Sequence, residues 1–238
     1  MMKQLALQQD DVKFSGNTFN IVSVGRIDPV KRFSSIPQIV NEILFKGKSV
    51  CWYIIGPKGG NQKEYELLLS NIEKYKVQKN VILLGERNNP YYFIKNAELL
   101  VSTSISEACP YVINESKVLG TPIISTNFGS AHEFVSEGYD GYCVPIEHIA
   151  DTVCRFIENK EDYSRVKLNL SGVYSSEFDI SLVSSFVPEN EIIKEFNRVT
   201  IKKDYVNLFS FLQSSAVIIT GSSEKNMSLE FISMPIFK

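Results

Sequence analysis

Two stretches of this chain hold the side chains best suited to chemistry. In Gly25-Arg26-Ile27-Asp28-Pro29-Val30-Lys31, two cations lie in one short segment ahead of a helical pattern. Gly25 permits a tight turn and close approach of a ligand. A guanidinium and an ammonium beside a helix N-terminus suit a pyrophosphate. Two solvated surface charges explain the same residues equally well. The second stretch runs from Ser104 to Glu115 and places Glu107 and Glu115 eight positions apart. Pro110 suits the first turn of a helix, so Glu107 falls in the loop and Glu115 inside the helix. A carboxylate accepts two hydrogen bonds in one plane and can grip a ribose diol. Carboxylates on a wet surface are the other reading.

The remaining loops say less. Gly56-Pro57-Lys58-Gly59-Gly60 has three glycines in five residues. That lets backbone approach a ligand, although a plain flexible loop explains the composition slightly more simply. It is not a Walker loop, because the glycine spacing differs and no Gly-Lys-Ser/Thr follows. Ser130 and Glu133 have capping-box spacing, which by itself accounts for Glu133. His132 has no second histidine, cysteine cluster or acidic partner spaced for a metal, so it reads as a surface or supporting residue. His148 lies in a late helical pattern and suggests no chemistry.

These loops must be positioned by the elements between them. Asn20–Gly25, Val50–Gly56, Asn80–Gly85, Leu99–Thr103, Pro122–Ser125 and Gly141–Val144 are short, continuously apolar runs. They alternate with helical spacing over Phe33–Phe45, Glu64–Tyr75, Tyr91–Ala97, Val112–Leu119 and Ala131–Glu137. Glu147–Asn159 and Asp162–Tyr174 follow as helices. Continuous rather than alternating strands imply a parallel sheet covered on both faces. Right-handed crossovers then give an α/β, doubly wound, Rossmann-like layer sandwich, with ligands outside the carboxyl ends of the strands. The expected division is an irregular segment over residues 1–18, the Rossmann-like domain over 19–178 and a helical or irregular tail over 179–238.

Composition narrows the classes. A formal net charge of −2 over 238 residues argues against a general nucleic-acid binder. No charged and then apolar leader opens the chain, and Val206–Ile219 is too short and too interrupted to span a bilayer comfortably. The four cysteines form no Cys-x-x-Cys pair, and three sit in apolar surroundings. They read as reduced and mostly buried, which suits a cytoplasmic chain.

Taken in order, the motifs resemble glycosyltransferase family 4, of the two-domain GT-B fold. The matching pieces are Val24-Gly25-Arg26 with Lys31, Tyr53-Ile54-Ile55-Gly56-Pro57 and Asn80–Gly85. They continue with Ser106-Glu107 through Glu115-Ser116, Leu119-Gly120-Thr121-Pro122-Ile123-Ile124 and Gly138-Tyr139-Asp140-Gly141-Tyr142. The resemblance covers Asn20 to Phe178. It implies that Arg26 and Lys31 hold the diphosphate of a nucleotide-sugar donor and stabilise it as it leaves. Glu115 would bind the ribose hydroxyls and Glu107 the transferred sugar. Gly25 and Gly56 would line the site, and backbone amides around Tyr111 and Val112 would face phosphate or sugar. It further implies retaining hexosyl transfer to a glycan or lipid-linked acceptor with no metal or other cofactor. No Asp-x-Asp motif occurs in the chain. Where the family commonly has Gly-Phe after the first glutamate, this chain has Ala108-Cys109. Pro110 removes one backbone donor, and Ser116 replaces a usual alanine.

In that family the Gly-Arg strand opens the second domain, after roughly 150 residues of a first domain. Here about 20 residues precede it. The expectation is a donor-binding half whose acceptor-binding N-terminal domain comes from elsewhere, as a separate domain or chain. Transfer by this chain alone should then be weak or absent, since transfer needs both substrates in a water-poor cleft. A non-catalytic nucleotide-binding remnant of a truncated or split enzyme is the alternative. A sugar-nucleotide epimerase or a phosphorylase of the same fold is more distant, because Gly-Arg/Lys with Glu-x7-Glu favours a transferase. The implied location is the cytoplasm, or the inner face of the membrane as a peripheral protein.

Overall fold

The computed structural model describes residues 2–173 except Gln9, Asp11, Gly60 and Cys109, together with residues 218–219 and 229–230. The helix expected within Pro188–Lys203 and almost all of the tail lie outside the described residues. So does Tyr174, the last residue of the final expected helix.

The chain runs through a single turn α1 (Met2–Leu5), then β1 (Phe19–Val24), α2 (Ile36–Phe45), β2 (Val50–Ile55), α3 (Gln62–Lys74) and β3 (Val81–Gly85). It continues with α4 (Pro90–Asn96), β4 (Leu99–Ser102), α5 (Tyr111–Leu119), β5 (Ile123–Thr126), α6 (Ala131–Phe134) and β6 (Gly141–Val144), then α7 (Ile149–Glu158) and α8 (Lys160–Val173). Two-residue strands β7 (Ile218–Ile219) and β8 (Leu229–Glu230) pair antiparallel in a separate compact unit. Lys3–Glu177 form the main unit.

Strands β1 to β6 make one parallel sheet in the order β3-β2-β1-β4-β5-β6. This is the expected doubly wound α/β sheet. Strand residues alternate between two cores. Ile21, Ile54, Leu99, Val101 and Ile124 face a core closed by α2, α3, α7 and α8. Val22, Ile55, Leu100 and Ile123 face a second core with Phe93, Ile94, Ile113 and Val135. Burial on both sides explains why the strands read as continuous apolar runs rather than alternating ones. Trp52 is fully buried yet keeps its polar atom satisfied: Nε1 donates to Ser23 Oγ at 3.0 Å, and Ser23 Oγ donates to the Val101 carbonyl at 2.6 Å. That chain of bonds ties β2, β1 and β4 together.

Three local expectations change. Ala131–Glu137 was expected to be helical, but α6 stops at Phe134, because Val135 turns extended and buries its side chain in the second core. The chain then turns on side chains: Asp140 Oδ1 accepts from the Ser136 amide at 2.9 Å, and Glu137 Oε2 accepts from the Cys143 amide at 3.0 Å. The Ser130–Glu133 capping box does not form. Ser130 makes no side-chain cap bond, and the Glu133 amide is taken by the Ser130 carbonyl at 3.0 Å. Pro110 sits just outside α5 as its N-cap rather than in the first turn. Cys51, Cys143 and Cys154 are free and buried, and burial pushes the Cys143 thiol up to about 11.

Candidate functional site

The sheet order reverses direction between β1 and β4. Loops leaving neighbouring strands on the two sides of that point diverge to opposite faces and open a crevice at the carboxyl edge. Here the two loops that flank it are those singled out from the sequence, 25–32 and 103–110. They are stitched directly to each other. The Ile105 amide donates to the Val30 carbonyl at 2.8 Å. Thr103 Oγ1 donates to the Lys31 carbonyl at 2.6 Å, and Arg32 Nε donates to the Thr103 carbonyl at 3.1 Å.

Lys31 and Glu107 meet in this crevice. Lys31 Nζ lies 2.5 Å from Glu107 Oε1, and both side chains are mostly sheltered. Ser104 Oγ donates to the same oxygen at 2.5 Å. The loop that delivers Lys31 is shaped by Asp28, whose Oδ1 and carbonyl accept from the Lys31 amide, each at 3.1 Å. The Lys31 stem lies over Gly25, where a Cβ would sit 3.1 Å from Lys31 Cε. Arg26 is the exposed cation of the two: its side chain is 74% exposed and lies 3.6 Å from Asp28. A long exposed guanidinium beside an ion-paired ammonium can swing onto a diphosphate.

Glu115 occupies a different corner. It projects from α5 and accepts a long hydrogen bond, 3.5 Å, from the Tyr91 hydroxyl of α4. Burial holds its carboxyl above the ordinary 4.5, and the Tyr91 bond offsets this only in part. Burial, and then the same Glu115 contact, raise the Tyr91 phenol. A half-buried carboxylate with one long hydrogen bond among the described residues has acceptor capacity to spare for a diol. Tyr111 opens α5 with its ring exposed, and Val112 follows half-buried. The N-cap is a proline with no side-chain bond, and the Ile113 amide donates to the Pro110 carbonyl at 3.0 Å.

Gly56 packs directly against Gly25. Its amide donates to the Gly85 carbonyl at 2.8 Å, and a Cβ there would lie 2.0 Å from the Gly25 carbonyl oxygen. The loops after β1 and β2 touch backbone to backbone, and the Ile27 amide also donates to the Pro57 carbonyl at 3.0 Å. Ser104, Thr103, Arg32 and Tyr91 carry no role in the sequence reading. Each acts through a partner 24 or more positions away, except Ser104, whose three-residue offset from Glu107 was visible. His132 is exposed. Among the described residues, no three His, Cys, Asp or Glu side chains gather as a metal site, and no helix is long and apolar enough to cross a membrane.

The chain is 23% identical over 192 residues to the poly(ribitol-phosphate) alpha-N-acetylglucosaminyltransferase of Staphylococcus aureus, covering 79% of this chain and 34% of that protein. It is 29% identical over 111 residues to an uncharacterised glycosyltransferase of Methanocaldococcus jannaschii, covering 47% and 26%. Among solved structures, Anabaena HepE in complex with UDP superposes with a TM-score of 0.62 at 22% identity, over 76% of this chain and 49% of that one. The sucrose-phosphate synthase of Thermosynechococcus elongatus gives 0.61 at 16%, over 83% and 47%. These likenesses show the fold, and the chain spans about half or less of the length of each relative. The model of the family described as glycosyl transferases group 1 matches residues 7–170, more than half of the sequence, and the chain belongs to that family.

Proposed function

We propose that this chain supplies the donor-binding half of a glycosyltransferase. It would hold a nucleoside-diphosphate hexose for transfer, with retention and without a metal, to a glycan or lipid-linked acceptor. The observation that carries this reading is the meeting of the β1 and β4 loops at the switch point, with Lys31 and Glu107 face to face. In the reaction, the bond between the anomeric carbon and the diphosphate breaks as the acceptor hydroxyl oxygen bonds to that carbon, and the hydroxyl proton passes to the departing diphosphate. Charge gathers on the departing diphosphate, and Lys31 and Arg26 would stabilise it. Glu115 takes the ribose diol, and Glu107 takes sugar hydroxyls. The HepE complex with UDP supports a uridine donor, and the S. aureus relative, a transferase of N-acetylglucosamine, supports a hexose as the transferred group. An acceptor-binding domain would form the other wall of the cleft. The assembly would work in the cytoplasm or at the inner face of the membrane.

The test is calorimetry with UDP, GDP, ADP and the matching nucleosides. We expect Lys31→Ala to weaken the preferred diphosphate about tenfold, the equivalent of one lost charge-assisted bond, and to leave the nucleoside unchanged. Arg26→Ala should discriminate in the same way. Equal losses on diphosphate and nucleoside would remove the phosphate role. A transfer assay with the chain alone should give little turnover. Diphosphate binding that never yields transfer, even with an acceptor-binding domain added, would favour a non-catalytic remnant instead.

A further inference from the structure

The ammonium placed for the donor diphosphate is already neutralised by the carboxylate placed for the sugar. Lys31 Nζ and the Ser104 hydroxyl converge on one oxygen of Glu107, Oε1, each at 2.5 Å. Both bonds are charge-assisted, and side-chain exposures of 21% and 13% for Lys31 and Glu107 keep most water away from the pair. Thr103 and Arg32 fix the loops that carry the pair, so the contact belongs to the framework of the crevice. A diphosphate arriving here must compete with Glu107 for Lys31.

We infer that Glu107 is the residue that makes the site prefer the intact sugar donor over the bare nucleoside diphosphate, by acting as an internal anion that competes for Lys31. This rests on the donor-site reading above. With the donor bound, the sugar hydroxyls donate to Glu107 and compensate it for the ammonium it yields to the diphosphate. With only the diphosphate left after transfer, Glu107 has no hydroxyl partner and regains its pull on Lys31. The exchange weakens the product and not the donor, because two anions then contend for one ammonium at short range. Ser104 holds Glu107 in position for both states.

The closing experiment titrates the full chain with inorganic pyrophosphate, UDP and UDP-glucose, for wild type, Glu107→Gln and Ser104→Ala. Thermal melts report that each variant is folded. The amide of Glu107→Gln keeps hydrogen-bonding capacity but removes the competing charge. We expect Glu107→Gln to bind pyrophosphate and UDP at least threefold more tightly than wild type and UDP-glucose no more tightly, so that the donor-to-product ratio falls. Ser104→Ala, with Glu107 less firmly held, should shift the ratio in the same direction by less. Unchanged or weaker UDP binding by folded Glu107→Gln overturns the inference. If Lys31→Ala lowers UDP affinity in that same case, the donor-site reading survives without it. If Lys31→Ala leaves UDP affinity unchanged, the donor-site reading falls as well.

Discussion

Gly56→Ala should destabilise the protein by about 3 kcal/mol or more, from backbone strain of roughly 1–3 kcal/mol together with overpacking of similar size. Gly56 has φ +143°, a conformation that L side chains rarely adopt. The added methyl would also lie 2.0 Å from the Gly25 carbonyl oxygen and 2.7 Å from its carbon. Both are backbone atoms and have no rotamer to escape into. Relief requires the β1 and β2 loops to separate, which strains the hydrogen bonds from the Gly25 amide to Ile55 and from the Ile27 amide to Pro57. The β1 loop carries Arg26 and Lys31, so the surviving folded fraction should also bind diphosphate less well. Gly120→Ala provides the comparison. Gly120 has φ +78° at the end of α5, but nothing lies within 4 Å of its would-be Cβ. That substitution should cost only about 1–2 kcal/mol, the strain of a left-handed residue alone. Chemical denaturation with a shared slope measures both. Similar losses for the two glycines would mean that loop contact contributes nothing.

Much of this arrangement can be read from the residues before any coordinates. Continuous apolar strands separated by helical spacing imply a covered parallel sheet, and every strand expected from pattern appears within a residue or two at each end. The loops that carry Arg26, Lys31 and Glu107, and the helix start that leads to Glu115, are legible for the same reason: each follows a strand, and ligands gather at that edge. Strand order is not legible. No local pattern says that β4 lies against β1, so the contact of Lys31 with Glu107, 76 positions away, has no sequence signal. Tyr91 is hidden in the same way within Pro90-Tyr91-Tyr92-Phe93, where any ring could serve the core. Phe93 does so and Tyr91 reaches Glu115. Ser130 and Glu133 show the opposite failure. Their spacing fits a capping box, yet a helix of one turn leaves the Glu133 amide to the Ser130 carbonyl. Glycine is ambiguous from composition. At Gly56 the space a side chain would fill is taken by another loop.

Glu115→Gln should lower the affinity for the preferred nucleoside diphosphate by at least about tenfold, since a carboxylate gripping two hydroxyls makes two charge-assisted bonds of ~1.5–3 kcal/mol each. The more specific expectation concerns pH. In the free protein, burial raises the Glu115 carboxyl above 4.5. Two hydroxyls donating to the carboxylate favour its charged form, so the bound ligand pulls that value back down. Proton release and ligand binding are therefore linked. Affinity is highest when Glu115 is already ionised, and it falls as pH drops through the raised value of the free protein. The fall ends only below the lower value of the complex. The window thus opens at the raised value of the free protein and closes at the lower value of the complex. Glutamine has no such proton, so the variant should lose this component of the pH dependence while keeping any that belongs to the phosphates. The difference between the two profiles isolates Glu115. Stability supplies the control. At neutral pH the free protein carries a charge that burial disfavours, so Glu115→Gln should melt no earlier than wild type. Parallel pH profiles in a fully folded variant would show that Glu115 does not hold the ribose.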